Sequence, residues 1–179
     1  SLMVGTLAEA AAEAIGANPL LARVVGYYHD LGKMLHPEYF VENQAAGVNQ
    51  HESLTPTMSS QVLARHVEDG LELAKEAGVV ETVRDMIPQH HGTRVMTFFY
   101  QKAKGSAVAN GLEIPEGNFR YPGPKPQSKE AAILMMADAI EAASRTLSNP
   151  SAAQIQGLID RLIEDVLADS QLDECNITI

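Results

Sequence analysis

The chain has 179 residues, 45% of them apolar and 20% charged, which suits one well-buried domain and excludes disordered or collagen-like sequence. Twenty-three acidic residues against 13 basic ones leave a formal charge of -10, which disfavours a broad nucleic-acid-binding surface. Cys175 is the single cysteine, so neither an internal disulfide nor a thiolate zinc site can form, and a reducing, cytoplasmic setting is expected.

No run reaches the roughly 18 apolar residues of a membrane span, and no stretch reads as a signal peptide. Leu2, Leu7 and Ile15 among alanines predict a first helix ending at Gly16, and Asn18-Pro19 caps a second that runs to Gly32. From Met34 to Ser53 the periodicity fails, and Pro37, Gly47 and scattered Asn and Gln predict an ordered loop with a short turn. Thr55-Pro56 opens a long helix closed by Gly78, and a short one follows from Val80 towards Pro88. A further short helix is predicted over Arg94 to Lys104. Gly105 to Gln127, rich in Gly and Pro, reads as a mobile surface loop. Ser128 caps a strong helix to about Leu147, and Asn149-Pro150 caps a last one to about Ala168. No alternating run supports a strand. The fold class is all-α.

The residues with chemistry are His29-Asp30, followed by Lys33, then His66 within a helix, His90-His91 at a helix end, and Asp138 in an apolar stretch. An unpaired carboxylate in such surroundings is costly. Four imidazoles and two carboxylates on separate helices suit a dinuclear site for divalent metals, because a carboxylate can bridge two ions. Blander readings exist for each. His66 could be a hydrogen-bonded core residue, His90-His91 a solvated helix end, and Asp138 a partner of Arg145. His36 and His51 lie in the irregular loop and read as surface residues.

His29-Asp30, with His66, His90-His91 and Asp138 following in order, resembles the HD-domain metal-dependent phosphohydrolases. The match is closer to one branch, the cytoplasmic domains of seven-transmembrane HD proteins that hydrolyse cyclic di-AMP. It is carried by Ser1-Leu-Met-Val, Tyr27-Tyr-His-Asp-Leu-Gly-Lys33, Phe40-Val-Glu-Asn43, His66-Val-Glu-Asp-Gly70, Gln89-His-His-Gly-Thr93, Phe98-Phe-Tyr100 and Ala137-Asp-Ala-Ile-Glu-Ala-Ala-Ser-Arg145.

The resemblance implies an HD-type helical bundle and two divalent ions, iron or manganese. It makes His29 and Asp138 ligands of the first ion, Asp30 the bridging carboxylate, and His66, His90 and His91 ligands of the second. A metal-bridging hydroxide would open cyclic di-AMP to the linear dinucleotide. Lys33 would extend towards a phosphate, and Thr93 and Arg145 are weaker candidates for phosphate or ribose contacts. The family pattern also places a His ligand immediately before Ser1 and a further helix after Ile179, so a domain cut at both ends, with a weakened first metal site, is expected. The expected setting is the cytoplasmic side of the inner membrane of a bacterium, attached to a membrane region, with a homodimer left open.

Three rivals stay in play. A cyclic di-GMP phosphodiesterase would carry Glu after the paired histidines and a nearby Gly-Tyr-Pro, whereas His91 is followed by Gly92-Thr93-Arg94 and Tyr121-Pro122-Gly123 lies far along. A mononuclear HD nucleotidase would need no counterparts of His66, His90 and His91. A nucleotide-sensing module with impaired catalysis is the non-enzymatic reading.

Overall fold

The computed structural model describes residues 1–44, 49–108 and 113–177. Seven α-helices follow in order among them: α1 (Leu2–Ala14), α2 (Pro19–Tyr28), α3 (Pro56–Glu76), α4 (Glu81–Arg84), α5 (Thr97–Val108), α6 (Lys129–Ser144) and α7 (Ala152–Ala168). Short 3-10 turns fill the connections, and the one extended pairing among the described residues is an isolated antiparallel bridge between Val95 and Arg120.

Local signals set the helix starts. The Asn18 side chain accepts from Leu21 N with Pro19 in the first turn, and Thr55 does the same for Met58 N ahead of Pro56. Ser128 caps α6 through Ala131 N. The last helix begins later than the Asn149-Pro150 reading: Ser151 is its cap and forms a reciprocal capping box with Gln154, while Asn149 sits at φ 49°. The helix expected from Arg94 starts at Thr97 instead. Met96 N donates to Phe119 O at 2.8 Å and Tyr121 N to Arg94 O at 3.0 Å, so residues 94–96 are held extended.

The Gly105–Gln127 stretch departs from a detached surface loop. Its first described residues continue α5, and residues 113–127 form an ordered strap whose Phe119 is fully buried. Phe119 packs with Met96, Phe99 and Ala103 in a small core of its own. The middle of the stretch, 109–112, lies outside the described residues.

The main core joins α1, α2 and α6 through Val4, Ala8, Ala12, Ala22, Val25, Ile133, Leu134 and Ala137. Alanine-rich faces let these helices approach closely. A Cβ on Gly26 would come within 2.6 Å of Gly5 Cα, so that crossing tolerates nothing larger. The second close approach matters more for the site. Gly32, in the 3-10 turn Leu31–Met34 just after His29-Asp30, lies against α3 at Gly70, and a Cβ there would overlap the His66 carbonyl. This contact brings the end of α2 against the middle of α3 and sets His29-Asp30 opposite His66. Gly32→Ala is therefore expected to cost roughly 3 kcal/mol or more by overpacking. Gly105→Ala, in open space within α5, should add about 0.5–1 kcal/mol. Denaturant unfolding of the two variants checks both signs.

Candidate metal centre

Four segments converge on one buried point: the end of α2 (His29, Asp30), the middle of α3 (His66), the turn after Ile87–Gln89 (His90, His91) and α6 (Asp138). His29, His66 and His90 are each almost wholly buried. Every candidate ligand named from the sequence arrives there. Two triads form, His66–His90–His91 and His29–Asp30–Asp138, and within each the candidate donor atoms lie within 4.8 Å of one another.

Three of the imidazoles are oriented by their own backbone. The Nδ1 of His29 is 2.8 Å from Gly26 O, that of His90 is 2.6 Å from Ile87 O, and that of His66 bonds Leu63 O. A carbonyl only accepts, so each Nδ1 carries the proton. In the neutral rings Nε2 is therefore a free lone pair facing inward, the arrangement metal-binding histidines use. His66 Nε2 and His90 Nε2 stand 3.2 Å apart, two acceptors facing each other. Asp30 Oδ1 is buried without a hydrogen-bond partner, and His29 Nε2 is buried facing the Asp30 and Asp138 carboxylates. Buried polar atoms left in this condition are costly, and a divalent cation fits the set.

Asp30 lies between the triads. Its Oδ2 is 3.1 Å from His29 Nε2, and its Oδ1 is 3.6 Å from His66 Nε2 and 3.8 Å from His90 Nε2. Asp138 faces His29 at 3.4 Å through Oδ1 and His91 at 3.7 Å through Oδ2. Arg145 does not pair with Asp138; it binds Glu141 at 2.7 Å.

The two triads differ in charge. Burial disfavours a His29 imidazolium, but Asp30 and Asp138 outweigh it and hold the pKa up at about 10. Burial also works against the Asp30 carboxylate, yet His29 and Lys33 hold its pKa well below the ordinary range. In the other triad burial dominates: with the neighbouring rings adding repulsion, His90 falls to about 3, and His91 falls well below its ordinary value. His66 is lowered by burial as well. At neutral pH the three-His set is uncharged, and the carboxylate set holds one proton on His29.

Two clefts flank the centre. One, of about 520 Å³, is bordered by Asp30, Lys33, Glu42, Asp138 and Arg145. The other, of about 330 Å³, runs beside His66 and His91 between Tyr39, Phe40, Phe99 and Tyr121. Lys33 borders both; its Nζ is 2.8 Å from Asp30 Oδ2 and 2.9 Å from Glu42 Oε1. Thr93 is engaged elsewhere: its amide donates to Gln171 Oε1 at 2.9 Å, and its hydroxyl accepts from Gln171 Nε2 at 2.9 Å.

Other residues near the centre escape sequence reading. His51, expected at the surface, is buried against Phe99 with Nε2 donating to Tyr39 O at 2.8 Å, because residues 50–53 fold back as a 3-10 turn. His36 is half-exposed, as expected. Tyr121 stacks on His91 with ring centroids 4.1 Å apart, a contact across 30 positions that no local pattern announces.

Comparison with known proteins agrees with this geometry. The HD domain family model matches residues 1–143, and the chain belongs to the HD domain family, for which divalent-metal binding is the rule. The chain is 48% identical over 178 residues to the cyclic-di-AMP phosphodiesterase PgpH of Bacillus subtilis, and 47% identical over 179 residues to that of Listeria monocytogenes. It covers 99% and 100% of itself in these matches but only 24% of either relative, so it spans about a quarter of their length. The crystal structure of the L. monocytogenes PgpH HD domain superposes with a TM-score of 0.91 at 47% identity, covering 99% of this chain and 82% of that one. Its complex with cyclic di-AMP gives 0.94, covering 99% and 81%.

Metal-free protein should be most stable near pH 6.5. His29 has a raised folded pKa, so its contribution is complete below the ordinary value of 6.5 and is lost as pH rises towards 10. His66, His90 and His91 have lowered pKa values, so their neutral burial is opposed as pH falls below 6.5. Thermal unfolding across pH in chelator checks the two limbs, and Asp30→Asn should flatten the alkaline one.

Proposed function

We propose that this domain is a metal-dependent phosphodiesterase that hydrolyses cyclic di-AMP to the linear dinucleotide. Two divalent ions, iron or manganese, would be held by His29, Asp30 and Asp138 on one side and by Asp30, His66, His90 and His91 on the other. The observation that carries this reading is the position of Asp30, with one carboxylate oxygen towards each set of imidazoles. Oxygen and imidazole donors suit both metals.

When bound, two such ions supply a hydroxide nucleophile at neutral pH and positive charge at the attacked phosphorus. The protein's own residues orient and exclude. The carbonyls of Gly26, Leu63 and Ile87 fix three imidazole rings, which removes reorganisation from the binding of the ions. Lys33 borders both clefts and presents its ammonium to a phosphodiester entering either. Arg145, tied to Glu141 on the rim of the larger cleft, adds a second cation there. Tyr39, Phe40, Phe99 and Tyr121 give the smaller cleft aromatic walls on which a purine can stack. Metal, Lys33 and Arg145 together offset the overall charge of -10 at the place where a dianionic substrate must bind.

The length of the relatives supports placing this domain in a longer protein, and we read its setting as the cytoplasmic side of a bacterial membrane. Among the described residues no helix is long and apolar enough to cross a membrane.

Incubation of the protein with cyclic di-AMP and Mn²⁺ or anaerobic Fe²⁺, with chromatography of the products, tests the reading. Turnover to the linear dinucleotide is expected, lowered on the order of 10²–10³-fold or more in Asp30→Ala. Binding without turnover under both metals would contradict it and favour a sensor. Metal titration supplies a separate check. Filling the carboxylate set displaces the His29 proton, so its affinity should rise about tenfold per pH unit towards pH 10. The three-His set is already neutral and should be nearly flat above pH 6.5. Calorimetry in buffers of different ionisation enthalpy distinguishes the two.

A further inference from the structure

Of the four imidazoles in the centre, His91 alone lacks a backbone orienter. The other three have Nδ1 bonded to a carbonyl three residues back. His91 Nδ1 faces Asp138 Oδ2 at 3.7 Å, beyond hydrogen-bonding distance. Its ring is held instead by contact, against His90 with centroids 4.0 Å apart and stacked on Tyr121 at 4.1 Å and 26°. Whatever fixes Tyr121 and the backbone after His91 therefore fixes that ligand.

Beyond their own backbone bonds, both are tied to one polar node at the end of α7. Gln171 is fully buried, although it is an amide on an irregular segment. Its Oε1 accepts Thr93 N at 2.9 Å, and its Nε2 donates to Asp169 Oδ2 at 2.9 Å. Gly92 turns through φ 54°, and a Cβ there would collide with the same Gln171 oxygen, so the turn after His91 is shaped around this side chain. Arg120 closes the node. It donates to Thr93 O at 2.7 Å and clasps the Asp169 carboxylate at 2.9 and 3.1 Å, which anchors the residue preceding Tyr121. The family model ends at residue 143, so Asp169 and Gln171 lie outside the part of the chain it describes.

We propose that Gln171, with Arg120 and Asp169, is the positioning device for His91, holding its turn through Thr93 and its stacking partner through Tyr121. The inference rests on the reading of His66, His90 and His91 as a metal set. It makes the segment after α7 part of the metal centre. A missing orienter of this kind weakens metal binding by about 10–100-fold.

The test is calorimetric titration with Mn²⁺ and visible absorption with Co²⁺, whose spectrum reports coordination number, alongside unfolding in chelator. Gln171→Ala and Tyr121→Leu should weaken the three-His set by about 10–100-fold and leave the carboxylate set near the parent value. Tyr121→Phe keeps the stacked ring and should restore both affinity and spectrum. Arg120→Ala, at a partly exposed position, should weaken the same set and covers the case in which Gln171→Ala does not fold. Parent-like affinity at both sets in folded Gln171→Ala or Arg120→Ala would overturn the proposal, as would equal loss at both sets. A parent protein that takes up no Mn²⁺ or Co²⁺ would instead overturn the metal reading on which it rests.

Discussion

Asp30 is the constraint around which the rest of this molecule is arranged. A buried carboxylate with one oxygen unfilled against two imidazole lone pairs is an arrangement no fold adopts for stability alone, because each such atom forgoes its bonds to water. Without metal, only the His29 imidazolium and Lys33 balance it. The same two lone pairs, on His66 and His90, also face each other across 3.2 Å. The helices must therefore be stable enough elsewhere to hold six polar groups together before any cation compensates them, which is the pattern expected of a functional site.

That stability comes from close helix approach. Alanine and glycine faces let α1, α2 and α6 pack into one core, and Gly32 against α3 presses the end of α2 onto the helix that carries His66. The metal centre is thus a consequence of backbone contact distance. Gly32 matters most, because a Cβ there would push the end of α2, with His29 and Asp30, away from His66. The third element, the turn bearing His90 and His91, is secured from outside the bundle by the strap at Arg120 and the segment after α7.

Much of this was legible in the sequence, and for identifiable reasons. Helix starts carry local signals, such as Asn18-Pro19, Thr55-Pro56 and Ser128, and the structure uses each of them. The candidate ligands were legible because His29-Asp30, His66, His90-His91 and Asp138 follow the order of the HD pattern, where each residue taken alone allowed a blander reading, and all six meet. What escaped depends on contacts between distant segments. Tyr121 reaches His91 because Arg94, Met96 and Phe119 form a short extended pairing, which Gly- and Pro-rich sequence disguises as a loop. His51 is buried by a 3-10 turn folding onto Phe99, and Gln171 by a tail that crosses back to Thr93. Neither placement leaves a periodic trace along the chain. Thr93 stood out for its place beside the paired histidines, yet it serves the turn through Gln171.

Anomalous diffraction from crystals of the protein grown with Mn²⁺ tests the central claim most directly. Two peaks are expected on opposite sides of Asp30, one within reach of His29 and Asp138 and the other within reach of His66, His90 and His91. A single peak that leaves one of the two sets empty, or peaks remote from Asp30, would contradict a bridging carboxylate at the heart of this fold.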